Sequence, residues 1–219
     1  RARSAFKLLQ IQDKFKLIRE DDVVLDVGCH PGGWSQVAVE LVGDGGKVIG
    51  VDLEPCQPVE GAILLVGDIT ESSTQERIRN ELDGRVINNI VSDISPDITG
   101  NWDIDQAVAM TLVADVLDFS LDLLCKGGSF ITKIFQGVGI EELIVAVKPY
   151  FSDVRRFSPM ASRNSSSEVY LICRNHMPWV KRETTIRQTY ETLLDVKLNP
   201  AEEVVEEKVF TGFKLRKKK

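Results

Sequence analysis

Two lysines far apart in the chain, Lys7 and Lys133, bracket a glycine-rich turn, and an aspartate, Asp93, and a glutamate, Glu168, complete the set. Side chains of these types suit RNA binding and proton chemistry. The turn reads Val23-Val24-Leu25-Asp26-Val27-Gly28-Cys29-His30-Pro31-Gly32-Gly33-Trp34, an apolar strand that runs into tight glycines and then a helix. α/β proteins use that arrangement to present backbone N–H groups to a nucleotide-like ligand. A cofactor turn flanked by such lysines points to a transferase.

The turn also says which cofactor to expect. A dinucleotide fingerprint needs Gly-x-Gly-x-x-Gly, but Gly28-Cys29-His30 puts a bulky side chain at the second glycine, where backbone must approach a pyrophosphate. NAD is therefore disfavoured. An acid closes the next strand segment, Val48-Ile49-Gly50-Val51-Asp52, where it can accept hydrogen bonds from the ribose hydroxyls of an adenosine. Another closes Leu65-Val66-Gly67-Asp68-Ile69, placed to face the adenine. With Asp26 and Asp93, acids then stand at the ends of the first four strands. That pattern suits a ligand with a positive centre rather than phosphates, and S-adenosylmethionine is such a ligand. Each acid alone reads equally well as an ordinary strand-end or capping residue; their conjunction carries the inference.

These residues need elements to hold them. Apolar runs predict strands near 23–27, 47–51, 63–66, 86–92, 128–134, 153–157 and 168–173, and periodicity predicts helices near 34–42, 74–82, 104–124 and 139–148. The alternation is that of a mostly parallel sheet with helices on both faces. The loop from Ser158 to Ser167 is too short for a helical crossover, so the last two strands should pair antiparallel. The expected fold class is α/β, a Rossmann-like methyltransferase layout of seven strands, mostly parallel, with the last reversed. Ahead of it, Leu8, Ile11 and Phe15 fall on one helical face, and Arg3, Lys7, Gln10 and Lys14 on another. Such a helix would dock by its apolar face and hold out a basic ridge, bringing Lys7 to the site.

Composition fits one enzyme domain with an appendage. The chain has 219 residues, 43% of them hydrophobic, enough to bury a full core. No run of about 18 apolar residues and no signal peptide is present, so a soluble cytoplasmic protein without a membrane partner is expected. Cys29, Cys56, Cys125 and Cys173 lack zinc-ligand spacing and read as reduced thiols in or near the core. His30 and His176 are isolated, and no metal site is expected. The chain opens on Arg1 rather than Met, which suggests a longer natural N-terminus. The net charge of −6 is unevenly spread. Residues 1–19 carry Arg1, Arg3, Lys7, Lys14, Lys16 and Arg19 against Asp13 alone, and residues 208–219 carry basic residues and no acid. Basic ends on an acidic body can hold phosphates while the body stays soluble. Arg155, Arg156, Arg163 and Arg174 are further candidates for phosphate contact.

Five segments, taken in order, resemble the FtsJ/RrmJ (RlmE) ribose 2′-O-methyltransferases, of archaeal type. They are Arg3-Ser4-Ala5-Phe6-Lys7-Leu8, Pro31-Gly32-Gly33-Trp34-Ser35-Gln36, Ser92-Asp93-Ile94-Ser95-Pro96-Asp97-Ile98-Thr99-Gly100, Thr132-Lys133-Ile134-Phe135-Gln136-Gly137 and Ser162-Arg163-Asn164-Ser165-Ser166-Ser167-Glu168-Val169-Tyr170. The resemblance covers about residues 1–174, the expected methyltransferase domain with its basic N-terminal helix. Residues 175–219 form the expected appendage, a short helix near 184–194 and a basic tail. The resemblance implies a catalytic group of Lys7, Asp93, Lys133 and Glu168, with cofactor contacts at Gly28, Gly32, Trp34, Asp52, Asp68 and Asp93. It departs from the family at Cys29-His30, where two small residues are usual; the His30 ring is expected to point away from the ligand. It further implies S-adenosylmethionine-dependent 2′-O-methylation of a ribose, a uridine's, in ribosomal RNA of the large subunit, by a monomer. A tRNA ribose and a non-catalytic assembly factor are the alternatives.

The expected chemistry follows from the acceptor. A ribose hydroxyl is not ionised at neutral pH, so its proton must be removed and its oxygen aimed at the methyl group. Lys133 is the candidate acceptor, which requires a pKa well below the ordinary lysine value of about 10.4, and Lys7 is a neighbouring cation able to depress it. The other division of labour has an ammonium stabilising the forming alkoxide while the proton leaves late.

Overall fold

Val23 to Val27 are buried without exception, as a strand must be when helices cover both faces of a parallel sheet. This strand, β1 (Val23–Val27), lies near the middle of a seven-stranded sheet with β2 (Lys47–Asp52), β3 (Ala62–Val66), β4 (Ile87–Ser92), β5 (Leu124–Phe135), β6 (Phe151–Phe157) and β7 (Glu168–His176) in the order β3-β2-β1-β4-β5-β7-β6. The computed structural model describes residues 2–95, 99–160 and 168–200. The basic tail, Pro96 to Ile98 and the segment 161–167 with Arg163 lie outside the described residues.

Strands β1 to β5 pair in parallel. β7 then inserts between β5 and β6, antiparallel to both. This is the expected layout, with the reversed strand placed so that Lys133 faces Tyr170 and Phe135 faces Glu168 across the β5–β7 ladder. Directly opposed residues share a face, so β7 delivers Glu168 and Tyr170 to the face that carries Lys133.

The helices divide between the two faces. α1 (Ala2–Phe15) and α2 (Gly33–Val42) cover one, where Leu8, Ile11, Trp34 and Val37 pack with Ile131, Tyr170 and Ile172. α3 (Ser72–Leu82), α4 (Trp102–Leu123), α5 (Ile140–Val147) and α6 (Ile186–Leu198) cover the other through Ile78, Met110, Val113, Leu143, Phe130 and Ile134. Phe130 and Ile134 against Ile131 show the two-residue alternation of a strand buried on both sides.

Several element boundaries differ from expectation, three of them for reasons the packing makes plain. β5 begins at Leu124 rather than near 128, because Leu124 already pairs with Ile87 ahead of a register shift. β6 begins at Phe151, whose side chain is buried in the core. α6 begins at Ile186 because Thr185 forms a capping box with Gln188, and it continues to Leu198. Asp118 of α4 accepts hydrogen bonds from the Ile186 N–H at 2.7 Å and the Arg187 N–H at 3.1 Å, fixing the start of α6. Ile186 and Tyr190 are buried in the same core cluster as the sheet.

Candidate active site

The turn after β1 is built around Gly28. Its φ of 78° is left-handed, and a Cβ there would come within 2.7 Å of the Ile94 Cα, so only glycine lets the loop after β4 close over the turn. Beside it opens a cavity of about 1020 Å³ whose wall includes Gly28, His30, Asp52, Asp68, Asp93 and, from α4, Thr111. The acids are held by neighbouring backbone. Asp52 Oδ2 accepts the His30 N–H at 2.8 Å and its Oδ1 the Glu54 N–H at 2.9 Å. Asp68 Oδ1 accepts the N–H and hydroxyl of Thr70 at 2.8 and 2.7 Å. His30 is among the wall residues, with its Nε2 3.6 Å from Glu54 Oε2.

Gly32 and Trp34 are placed elsewhere. The Gly32 N–H donates to the Cys29 carbonyl, which tightens the turn. The Trp34 ring is 2% exposed, its Nε1 donates to the Ser4 carbonyl at 2.8 Å, and it packs on Tyr170. Trp34 therefore docks α1 onto the body, and what it can offer a ligand is its main-chain N–H in the first turn of α2.

Beneath the turn, Asp26 is fully buried. Ser35 Oγ donates to Asp26 Oδ2 at 2.6 Å, while Oδ1 has no partner among the described residues. Burial first, then the charges of Asp93 and Asp52, push its carboxyl up to about 7. Cys29 and Cys56 also meet here, with their sulfurs 3.2 Å apart; burial pushes the Cys29 thiol far up.

On the other side of Asp93 stand the lysines. Lys133 Nζ lies 3.3 Å from Asp93 Oδ1 and donates to the Asp93 carbonyl at 2.9 Å, with its side chain 9% exposed. Lys7 Nζ, reaching in from α1, donates to Glu168 Oε2 at 2.9 Å. Tyr170 joins the two pairs: its hydroxyl donates to Asp93 Oδ1 at 3.0 Å, and Lys7 Nζ sits 5.9 Å from its ring centre. Burial, reinforced by Asp93, pushes the Tyr170 phenol well above its ordinary range, so it stays a donor. All four expected catalytic residues are thus brought together. Sequence reasoning did not single out Tyr170, although its position two residues after Glu168 on a strand places both on one face.

The three described candidates for phosphate contact pair with acids, while Arg163 lies outside the described residues. Arg155 pairs with Asp153 at 2.7 Å, Arg156 with Glu141 at 2.8 Å, and Arg174 with Asp153. His176 is buried, with Nδ1 2.9 Å from the Leu124 carbonyl, and burial lowers its pKa.

A parallel sheet ended by one reversed strand, with a glycine turn, a row of acids and a lysine–carboxylate cluster at its carboxyl edge, defines the Rossmann-like class of methyltransferases. The model of the FtsJ-like methyltransferase family matches residues 1–176, and the chain belongs to that family. It is 42% identical over 180 residues to ribosomal RNA large subunit methyltransferase E of Methanocaldococcus jannaschii, covering 80% of this chain and 74% of that one. The enzyme of the same name from Methanoculleus marisnigri is 46% identical over 175 residues, covering 80% and 85%. Among solved structures, a Plasmodium falciparum protein described as a ribosomal RNA methyltransferase superposes with a TM-score of 0.72 at 26% identity, covering 80% of this chain and 98% of that one.

Proposed function

We propose that this methyltransferase moves a methyl group from S-adenosylmethionine to a ribose 2′-hydroxyl, a uridine's, in large-subunit ribosomal RNA, acting as a cytoplasmic monomer. The observation that carries the reading is the cluster of Lys133, Asp93, Tyr170, Lys7 and Glu168 beside an acid-lined cavity. The names of the relatives supply the ribosomal RNA and the large subunit.

The residues present fit the cofactor. A cation is matched by Asp52 and Asp93 on the wall, where Arg187 is held by Asp115 and Glu191 and where no lysine is found among the described wall residues. On the wall, Asp52 retains lone pairs that would accept ribose hydroxyls, Asp68 would face the adenine and Gly28 would let the ligand approach the backbone, while Gly32 and Trp34, off the wall, would offer only main-chain N–H groups. When bound, the cofactor supplies an electrophilic methyl group on its sulfonium sulfur.

The protein's own groups then act on the acceptor. Lys133, Asp93, Lys7 and Glu168 are the catalytic group. Lys133 and Lys7, each held by a carboxylate, are linked through Tyr170, and a 2′-oxygen placed beside them would be oriented and stabilised as it gains negative charge. As the oxygen–carbon bond forms and the sulfur–carbon bond breaks, Lys133 in its neutral form would take the hydroxyl proton; as the ammonium paired with Asp93 it would instead stabilise the oxygen while the proton leaves to solvent. Tyr170 keeps Asp93 facing Lys133.

The test is transfer of labelled methyl to undermethylated large subunits and, in parallel, to unmodified tRNA, followed by nucleoside analysis. Label in 2′-O-methyl nucleosides of ribosomal RNA alone is expected. Label in tRNA would move the substrate, and no label with cofactor bound would favour the assembly-factor alternative.

A further inference from the structure

Trp102 is 50% exposed, with one edge of its indole against Phe135. It is the first residue of α4, directly after the loop that leaves Asp93. That loop end is rigidly tied. Asp105 Oδ1 accepts the Thr99 N–H and hydroxyl at 2.8 and 2.6 Å, its Oδ2 accepts the Gly100 N–H at 3.1 Å, and the Asn101 side chain caps the Ile104 N–H. These hydrogen bonds position the backbone from which the indole projects.

What it is held against is the lysine cluster. The Trp102 ring stands at 83° to Phe135, with centroids 6.0 Å apart. Phe135 lies two residues beyond Lys133 on β5, on the same face, and Lys133 Nζ is 6.0 Å from the Phe135 ring centre. A continuous path of contacts thus runs from the Lys133 ammonium across Phe135 to a half-exposed indole. Trp179, at 61%, is also exposed, but it stacks under Lys126 and lacks this connection.

Resting on the proposed ribose methylation, we infer that Trp102 is a stacking platform for the base of the nucleotide being methylated. With the 2′-oxygen of a nucleotide at Lys133, a base turned toward Phe135 would meet that ring 6.0 Å from Nζ and the Trp102 ring another 6.0 Å beyond it. Such a base must leave its own stack to bring the ribose into reach, and an aromatic surface replaces the lost stacking whatever the base. Phe135, meeting the indole at a right angle, braces it. Trp102 is a positioning residue: it holds the base and so aims the hydroxyl.

The test compares Trp102→Ala, Trp102→Leu and Trp102→Phe with the wild type on the RNA that the wild type labels. Base–aromatic stacking of about 1–3 kcal/mol predicts that Ala and Leu lower kcat/KM by about 5- to 150-fold, mostly through KM for RNA. Phe should restore most of the loss, and the S-adenosylmethionine dissociation constant by calorimetry should not move in any variant. A second arm uses the same RNA made abasic at the methylated position by splinted ligation, on which wild type and Trp102→Ala should become equal. An unchanged kcat/KM in Trp102→Ala, a Leu variant as good as Phe, or an undiminished penalty on the abasic RNA would each overturn the platform. A wild type that labels no RNA would instead overturn the methylation reading on which it rests.

Discussion

The two sides of Asp93 are built by different rules. On the cavity side, the acids are held by neighbours in sequence: Asp68 by Thr70, and Asp52 by Glu54 and by His30 of the adjacent turn. On the lysine side, every defining contact spans the chain. Lys7 meets Glu168 across 161 residues, Tyr170 meets Asp93 across 77, and Lys133 meets Asp93 across 40. The first side is a set of strand-end turns that any parallel sheet presents at its carboxyl edge. The second exists only once α1 has docked and β7 has entered the sheet. Binding and chemistry should therefore fail separately, and substitutions on either side can establish or abolish the distinction.

The largest separation is expected at Lys133. Lys133→Ala should lower the methyl-transfer rate by about 10²- to 10⁴-fold, the range for loss of a group handling the proton, while calorimetry finds S-adenosylmethionine binding unchanged. Parallel loss of binding would merge the two sides into one. Next comes Asp26, whose carboxyl is raised from 3.8 to about 7 in the folded chain. Between about pH 4 and pH 7 the unfolded chain ionises this group while the folded chain keeps it protonated, so stability falls as pH rises, in total by on the order of 4 kcal/mol. Asp26→Asn should flatten that slope in denaturant titrations across the window. An unaltered slope would mean that Asp26 is not the buried acid described.

Asp52→Ala probes the cavity side from the opposite direction. Losing hydrogen bonds to a charged acceptor, worth about 1.5–3 kcal/mol, should raise the cofactor dissociation constant by about 10- to 150-fold, with kcat at saturating cofactor far less affected. A kcat loss matching that of Lys133→Ala would erase the contrast. The smallest effect is expected at Glu168. Glu168→Gln keeps the shape but removes the charge that holds Lys7, and at about 1.4 kcal/mol the rate should fall about tenfold with cofactor affinity intact. A changed cofactor affinity would place Glu168 on the wrong side.

The same contrast explains what was legible in the sequence. The strand–helix alternation, the glycine turn and the strand-end acids were all readable, because periodicity and turn chemistry act over a few residues. The amphipathic α1 was equally plain, and Leu8 and Ile11 are buried as its pattern required. Trp34 was readable as a motif residue, but not the direction of its ring, which depends on α1 lying close enough for the Ser4 carbonyl to accept from it. The role of Tyr170 was hidden for a similar reason: its partner Asp93 lies just past the end of β4, two positions from β7 in the sheet order.

Residues 186–198 make the point at larger scale. Composition suggested only a short helix in an appendage, yet Ile186 and Tyr190 enter the main core, and Arg182 and Arg187 pair with Asp118 and Asp115 of α4. By itself, the sequence determined the elements, their order and the acids at their ends, since local hydrogen bonding and side-chain periodicity decide those within one or two turns of chain. Tertiary structure alone decided that β7 lies between β5 and β6, that Lys7 and Glu168 meet, and that Trp102 stands out beside Lys133. Contacts between distant segments follow from which packing buries the most apolar surface at once, a property of the whole chain rather than of any segment.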